Sequence, residues 1–170
     1  MHKTLTAAAL AAVAAFASAP AAAADVAAAF GKGSTQVFVT AGSGYAFDQT
    51  YFVLGLGATY YLVDGLGLGL SLESWSGADP NLYKVTPSVQ YVFRHVPVVK
   101  PYVGVFYRRT YVSGLSDLDS AGGRAGVYIA AGRNAYVGAG AVYEYYIDCN
   151  TAVYGSCSST YPELSFTIAF

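Results

Sequence analysis

The sequence predicts an all-β protein, an eight-stranded antiparallel up-and-down transmembrane β-barrel that follows a cleaved signal peptide. Three observations support this fold class. The amino terminus has the layout of a secretory signal, and the rest of the chain is apolar and poor in charge. Segments of about ten residues then alternate between apolar and polar side chains. Because backbone groups must be paired inside a bilayer, strands of this kind are expected to close into a barrel.

Residues 1–24 are predicted to be the signal peptide. Lys3 makes the start basic, residues 4–19 form an alanine-rich apolar run, and the alanines at 22–24 suit a signal peptidase. The alternative is a retained membrane anchor, but the apolar run is shorter than the roughly 20 residues that a spanning helix needs. We therefore expect residues 25–170 to form the outer-membrane β-barrel domain.

The composition of the chain is unusual for a water-soluble domain. Only 11% of the residues are charged, 15% are aromatic, and 16 are tyrosines, whereas soluble domains carry about 25% charged residues. The predicted barrel domain contains no continuous apolar run of about 20 residues, so no spanning helix is expected there. The formal net charge of −1 gives no support for a nucleic-acid partner.

Eight segments show the dyad alternation of a membrane barrel, with one face for lipid and one for the lumen. The least clear is the first, around residues 35–45, because Phe38 must then point inward. Pro87 lies in the middle of the fourth strand and cannot donate a ladder hydrogen bond, so a bulge is expected there. In chain order, the residues predicted to face lipid are Val37, Val39 and Ala41; Phe52, Leu54, Leu56, Ala58 and Tyr60; Leu66, Leu68, Leu70 and Leu72; Tyr83, Val85, Pro87, Val89, Tyr91 and Phe93; Val103, Val105 and Tyr107; Ala125, Val127 and Ile129; Val137, Ala139, Ala141, Tyr143 and Tyr145; and Pro162, Leu164, Phe166, Ile168 and Phe170.

The connections between these segments predict an orientation. Tight turns at 63–65 and 131–134 and a connection at 95–100 alternate with connections around 43–49, 76–82, 113–121 and 147–160. Short periplasmic turns and longer outer loops are typical of such barrels, which places both termini in the periplasm. Aromatic rings at the strand ends predict two interfacial girdles. The alternative is a soluble β-barrel or sandwich with buried tyrosines. The predicted girdles are Tyr60, Phe93, Tyr102 and Phe170 at one interface, and Tyr51, Tyr83, Tyr107, Tyr111, Tyr143 and Tyr145 at the other.

The carboxyl-terminal segment resembles the signature that ends outer-membrane barrels, with alternating apolar residues and a final Phe. Residues 100–107 are similar to a strand of small OmpX-like and opacity-type barrels, and residues 122–146 to their penultimate hairpin. The resemblance implies an eight-stranded barrel in the outer membrane of a Gram-negative bacterium, delivered by periplasmic chaperones and the barrel assembly machinery. The outer loops are shorter than those of opacity-type adhesins. The implied assembly signal comprises Tyr161, Leu164, Phe166, Ile168 and Phe170.

Six ionisable residues are predicted to lie in the outer half of the lumen. They comprise three acids and three bases, a neutral set of the kind that burial of charge requires. An eight-stranded barrel has an interior that side chains can fill, and inward glycines facing inward aromatic rings suggest dense packing. The prediction is a filled lumen with a charge network; a gated conduit or a ligand site is the alternative. The six residues are Glu73, Lys84, Arg108, Arg124, Glu144 and Glu163.

No catalytic, cofactor-binding or metal-binding residue is expected. His95 is the one histidine of the predicted barrel domain, and it falls in a periplasmic connection without a partnered Ser or Asp. Cys149 and Cys157 lie eight residues apart in the last outer loop. In an exported chain without a nearby histidine, this spacing favours a disulfide over a zinc site.

Charged residues near the third outer loop have two interpretations each. Asp117 and Asp119 could bind a divalent cation, although two carboxylates are too few for a dedicated site and a solvated loop is simpler. Arg109 is expected to point outward near the upper interface because its neighbour Arg108 points inward. Its guanidinium could bind lipopolysaccharide phosphate or extend into water.

The expected function is structural: a monomeric barrel that contributes to envelope integrity or, through its outer loops, to surface adhesion. Its partners would be outer-membrane lipids and lipopolysaccharide. The alternative is an OmpW-like barrel that binds or transports small apolar molecules through a lateral opening, which a wall gap near Pro87 would support. A lipid-modifying enzyme of the outer leaflet has the least support, since the predicted outer loops contain no histidine to act as base.

Overall fold

The computed structural model describes residues 29–46, 49–96, 98–114, 116–147, 149 and 157–170, and the predicted signal peptide lies outside these ranges. Eight strands form one closed antiparallel barrel, which confirms the predicted fold class. Each strand pairs with its neighbours in the chain, and the last strand pairs with the first. The strands are β1 Thr35–Ala46, β2 Gln49–Val63, β3 Leu66–Ser76, β4 Leu82–Val92, β5 Val99–Val112, β6 Leu118–Ala130, β7 Ala135–Tyr146 and β8 Ser158–Ala169.

Side-chain exposure alternates along the strands as the sequence predicts. In β2, Phe52 and Leu54 are more than half exposed, whereas Thr59 and Tyr61 at inward positions are buried. The least clear strand, β1, also has the predicted parity, with Val39 on the outer surface. An apolar outer surface therefore encloses a polar and aromatic interior. Among the described residues, no helix is long and apolar enough to cross a membrane.

The end of the barrel at the β2–β3, β4–β5 and β6–β7 turns is the turn end, and the opposite end is the loop end. The loop-end connections are shorter than predicted, because β1, β2 and β6 extend into segments that were expected to be loops. Residues 47–48 join β1 to β2, and the connections at 77–81 and 113–117 are also short. Only the connection between β7 and β8 is long, so loop length does not by itself orient the barrel.

The predicted bulge at Pro87 is not formed. The β4–β5 ladder omits residues 86–87 opposite 107–108, yet it resumes in the same register on either side. Proline has no N–H to donate, so the loss of pairing stays local. The register shift in this barrel lies instead between Tyr61 and Val63, where β2 meets β3.

A segment that precedes β1 fills the turn end of the lumen. Phe30 is fully buried, and its ring centroid lies 5.9 Å from that of Tyr61, 5.4 Å from Tyr128 and 5.1 Å from Tyr136. The N–H of Gly65 donates to the Phe30 carbonyl at 2.8 Å, which ties the segment to the β2–β3 turn. This contribution was not predicted, since the segment carries no strand alternation.

Candidate functional site

The six charged residues predicted for the lumen project inward from six different strands, β3 to β8. Lys84, Arg108 and Glu144 are buried, and the remaining three are largely shielded from solvent. The cause is the two-residue period of a strand, which sends every second side chain into the barrel. The structure joins five of the six by ion pairs within the described part of the chain, and it leaves Lys84 outside them.

Arg108 is the centre of this charge network. Its Nη1 donates to Glu144 Oε2 at 2.9 Å and to the Tyr161 hydroxyl at 2.8 Å. Its Nη2 donates to Glu73 Oε1 at 3.1 Å, and its Nε donates to Thr86 Oγ1 at 3.0 Å. A guanidinium presents five donors in a rigid plane, so one buried arginine can hold two carboxylates and two hydroxyls at once.

Glu144 receives hydrogen bonds from three strands. The Ser120 hydroxyl donates to Oε1 at 2.6 Å, and the Tyr161 hydroxyl donates to Oε2 at 2.8 Å, in addition to Arg108. A buried carboxylate is tolerated only when it is paired and hydrogen-bonded in this way. Ser120 and Tyr161 were not predicted to belong to the network. For Tyr161 the sequence does indicate it, because Tyr161 lies two residues from Glu163 on β8 and therefore faces the lumen with it.

A third ion pair of the lumen joins Arg124 to Glu163 at 3.3 Å. The Phe106 ring lies between the two arginines, with its centroid 5.1 Å from the Arg124 guanidinium carbon and 5.0 Å from that of Arg108. This arrangement places the negative face of the aromatic ring against both cations. Phe106 therefore fills the lumen and also links the two groups of charges.

Among the residues that the structure describes, Lys84 makes no ion pair, although Glu73 lies directly opposite it in the β3–β4 ladder. Glu73 already accepts hydrogen bonds from Arg108 and, at 3.2 Å, from the indole N–H of Trp75. The Lys84 Nζ lies 3.5 Å from the centroid of the Trp75 ring. Within the described residues, the ammonium lies against that ring face and donates no hydrogen bond.

A cavity of about 470 Å³ lies beside Lys84 in the half of the lumen nearer the loop end. Both inward and outward side chains line it, so it passes through the barrel wall. The β1–β8 ladder ends at Thr40↔Ser165, and beyond it both strands continue toward the loop end without pairing with each other. The inward lining includes Glu73, Trp75, Lys84, Arg108, Glu144 and Tyr161, and the outward lining includes Ala41, Pro162 and Leu164.

The lumen nearer the turn end is closed by aromatic packing. The Tyr61 hydroxyl donates to Gln36 Oε1 at 3.1 Å and accepts from Gln90 Nε2 at 2.8 Å. Tyr102 was predicted for an interfacial girdle but is buried here, stacked on Tyr128 with centroids 4.6 Å apart. The reason is strand parity: Tyr102 shares the inward face of β5 with Phe106. Tyr51 is likewise buried, against Trp75, and does not join the opposite girdle.

The remaining predicted residues lie apart from the network. His95 is exposed in the β4–β5 connection at the turn end. Cys149 and Cys157 form a disulfide in the β7–β8 connection, with their Cα atoms 5.5 Å apart. Within the described ranges, no group of three metal-ligating side chains is present.

Arg109 points outward and is 44% exposed. Its guanidinium lies 3.0 Å from Asp117, at the end of the third loop-end connection, and 3.4 Å from Asp119, at the start of β6, so both carboxylates pair with this arginine. These ion pairs explain why the two aspartates lie close together, and no bound cation is needed to balance their charge.

Four of the five residues predicted for the assembly signal form an exposed apolar row along β8 and its end. The fifth, Tyr161, points into the lumen and bonds to Arg108 and Glu144. The outer row comprises Leu164, Phe166, Ile168 and Phe170.

No protein-family model and no curated protein matches this sequence. Solved structures do match it. The N-terminal β-barrel domain of OprF from Pseudomonas aeruginosa is 16% identical, with a TM-score of 0.65 over 82% of this chain and 99% of that one. Neisserial surface protein A (NspA) is 23% identical, with a TM-score of 0.55 over 80% of this chain and 94% of that one. The chain therefore has the fold of small eight-stranded outer-membrane β-barrels.

Proposed function

We propose that this protein is an outer-membrane barrel whose lumen, packed at the turn end and crossed by the Arg108 network, serves a structural role in the envelope. The observation that carries the proposal is the distribution of polarity, which is the reverse of the one expected for a protein in water. Large apolar side chains such as Phe52, Val105 and Leu164 cover the outer surface, whereas Arg108 and Glu144 are buried inside. A continuous apolar surface of this extent is unfavourable in water and favourable in lipid.

Closure of the lumen at the turn end supports a structural role over a conduit. Phe30 and the tyrosines around it fill the turn end, and the Arg108 network spans the middle of the barrel. An open path along the barrel axis would require both the aromatic packing at the turn end and the Arg108 network to come apart. A contribution to envelope integrity, or to adhesion through the loop end, is compatible with this packing.

The proposal includes export and orientation. Residues 1–24 would be removed as a signal peptide, and the turn end would face the periplasm together with both ends of the mature chain. The exposed row on β8 that ends at Phe170 would be recognised by periplasmic chaperones and the barrel assembly machinery. The protein would act as a monomer among outer-membrane lipids and lipopolysaccharide.

Cell fractionation tests this proposal on the full chain. In a Gram-negative host, we expect the protein in the outer-membrane fraction. Its mass should be that of a chain that begins at Asp25, and its gel mobility should change on boiling. An epitope inserted at 113–117 should be labelled on intact cells, and one inserted at 131–134 should not. A soluble periplasmic protein without a heat-dependent mobility shift would overturn the membrane location.

A contact between Arg109 and lipopolysaccharide is part of the proposal. Phosphate would have to compete with Asp117 and Asp119 for the guanidinium. The exposed part of the side chain supports such an exchange. If Arg109→Ala co-purifies with as much lipopolysaccharide as the wild type does, the contact does not form.

A second candidate function is the binding of small apolar molecules through a lateral opening. The cavity that passes between β1 and β8 favours it. The opening is not at Pro87, because Thr86 and Arg108 are hydrogen-bonded directly behind that part of the wall. The wall gap therefore lies on the opposite side of the barrel from the one that the sequence suggested.

A further inference from the structure

The barrel wall has a window between β1 and β8 near the loop end. Residues 41–46 of β1 and 158–164 of β8 stay paired with β2 and β7, respectively, but not with each other. Gly42 lies at an inward position of β1 and is nevertheless exposed, and a Cβ built on it would meet nothing within 4 Å. Pro162 on the facing strand has no N–H with which to extend the ladder. The window opens from the apolar outer surface directly into the cavity.

The cavity is amphipathic from its mouth to its back wall. Ala41 and Leu164 form the mouth on the lipid-facing side, and Val53 and Trp75 supply apolar surface further in. Lys84 and Arg108 line the interior side. A molecule that fits this arrangement has an apolar chain directed to the window and a polar group directed to the lumen.

Lys84 determines the chemistry of that polar group. Lys84 is 6% exposed. Its ammonium has three N–H donors, and these meet no acceptor within the described part of the chain. The neighbouring carboxylates are already bound, because Arg108 holds both Glu73 and Glu144. A buried ammonium is costly without a charged or hydrogen-bonding partner. A ligand oxygen that carries negative charge would supply it.

We propose that the cavity binds a single-chain amphiphile with a carboxylate head, which enters through the β1–β8 window. The carboxylate contacts Lys84 Nζ, and the apolar chain leaves past Ala41 and Leu164 into the surrounding lipid. This proposal deepens the second candidate function by naming its ligand class, and it rests on the membrane location proposed above.

Trp75 provides a direct readout because it is the one tryptophan of the chain and lines the cavity. Protein purified from outer membranes is reconstituted in phosphatidylcholine nanodiscs and titrated with 2-bromododecanoate, which carries its bromine on the carbon next to the carboxylate and quenches indole fluorescence on contact. We expect saturable quenching that unbrominated dodecanoate reverses and acetate does not. The uncharged 2-bromododecanol should bind about tenfold more weakly, since it lacks a charge-assisted hydrogen bond.

Two variants with matched controls assign the effect to the site. Lys84→Met should weaken binding of 2-bromododecanoate about tenfold, and Lys84→Arg should restore most of it. Lys100→Met is the control, since Lys100 is equally buried but bonds to the carbonyls of Arg94 and Val96 at the turn end. Gly42→Phe should block the window and abolish saturable quenching, whereas Ala125→Phe, on the outer face of β6, should not.

The outcomes separate this inference from the membrane proposal. A heat-modifiable barrel that shows only non-saturable quenching, equal in the Gly42→Phe variant, would mean simple partition into lipid and would overturn the ligand site alone. Equal affinity for the acid and the alcohol would overturn the role of Lys84. Displacement by acetate at the same concentration as dodecanoate would assign the site to small aqueous carboxylates and overturn entry from lipid. Absence of the protein from the membrane fraction would overturn both proposals.

Discussion

Arg108 and Glu144 form an ion pair of 2.9 Å in which the side chains are 2% and 1% exposed. They lie on β5 and β7, which are not adjacent, so the pair crosses the lumen. The same arginine reaches Glu73 on β3. The interior of the barrel is thus braced across its diameter by side chains as well as around its circumference by the strand ladder.

Replacing Arg108 with methionine should strongly destabilise the barrel. Removing one partner of a buried ion pair leaves uncompensated charge, which typically costs about 3–5 kcal/mol. We expect this loss in the free energy of unfolding, measured with urea in lipid vesicles. Arg109→Met is the control, since its exposed pairs with Asp117 and Asp119 should contribute less than about 1 kcal/mol. Equal losses for the two variants would show that Arg108 is not effectively buried.

Gly126 and Gly123 offer a test of strand orientation on β6. A Cβ on Gly126 would lie 2.4 Å from the carbonyl oxygen of Ala139 and 2.8 Å from the Tyr102 hydroxyl, so Gly126→Ala should cost about 1–3 kcal/mol. The nearest atom to a Cβ on Gly123 is 3.6 Å away, and Gly123→Ala should change stability by less than about 0.5 kcal/mol. Urea unfolding of both variants measures the difference, and the reverse order would contradict the register of β6.

Strand parity could be predicted from the sequence because the pleat of a strand leaves each side chain only two directions. Once the apolar series of β8 is assigned to lipid, Tyr161 and Glu163 must face the lumen. The same rule brought all six charged residues inside the barrel. It also placed Tyr102 inward, and the girdle prediction failed there because it weighed residue type above parity.

Parity does not determine which residues meet across the lumen. That depends on the relative stagger of the strands, which sequence alternation does not encode. Lys84 is beside Glu73 in the ladder but loses this carboxylate to Arg108, which reaches it from β5. The end of the β1–β8 pairing at Thr40 could not be predicted for the same reason, since alternation along one strand does not show where its ladder with a neighbouring strand stops.

Stability at low pH should depend on Asp64. This carboxylate in the β2–β3 turn accepts a hydrogen bond from the Lys32 N–H at 2.9 Å and pairs with Arg94 at 2.5 Å, and these contacts lower its pKa. A lowered pKa in the folded state adds stability above the unfolded-state pKa of about 4, and this stability is lost as pH falls through the folded-state value. Asp64→Asn should therefore be less stable than the wild type at neutral pH.

The measurement for Asp64 is urea unfolding of the wild type and Asp64→Asn at neutral pH and at about pH 3. The difference between them should shrink at the lower pH, because the wild-type carboxyl is then being protonated. Asp117→Asn at the loop end controls for the general loss of a surface carboxylate. A difference that stays constant between the two pH values would show that Asp64 acts through its shape and not its charge.

Phe30 should contribute to barrel stability although it precedes the first strand. It is fully buried among Tyr61, Tyr128 and Tyr136, so Phe30→Ala should leave a cavity and cost about 3–5 kcal/mol. Phe30→Leu keeps most of the volume and should cost less than about 1.5 kcal/mol.

Val98→Ala is the control for Phe30, since Val98 lies at the same end of the barrel and is 76% exposed. Urea unfolding of the three variants in lipid vesicles ranks them. If Phe30→Ala unfolds like Val98→Ala, the segment before β1 rests on the barrel without closing it. If the expected order is found, the turn end is sealed by a residue outside the strand ladder, and a conducting barrel would require that segment to leave the lumen.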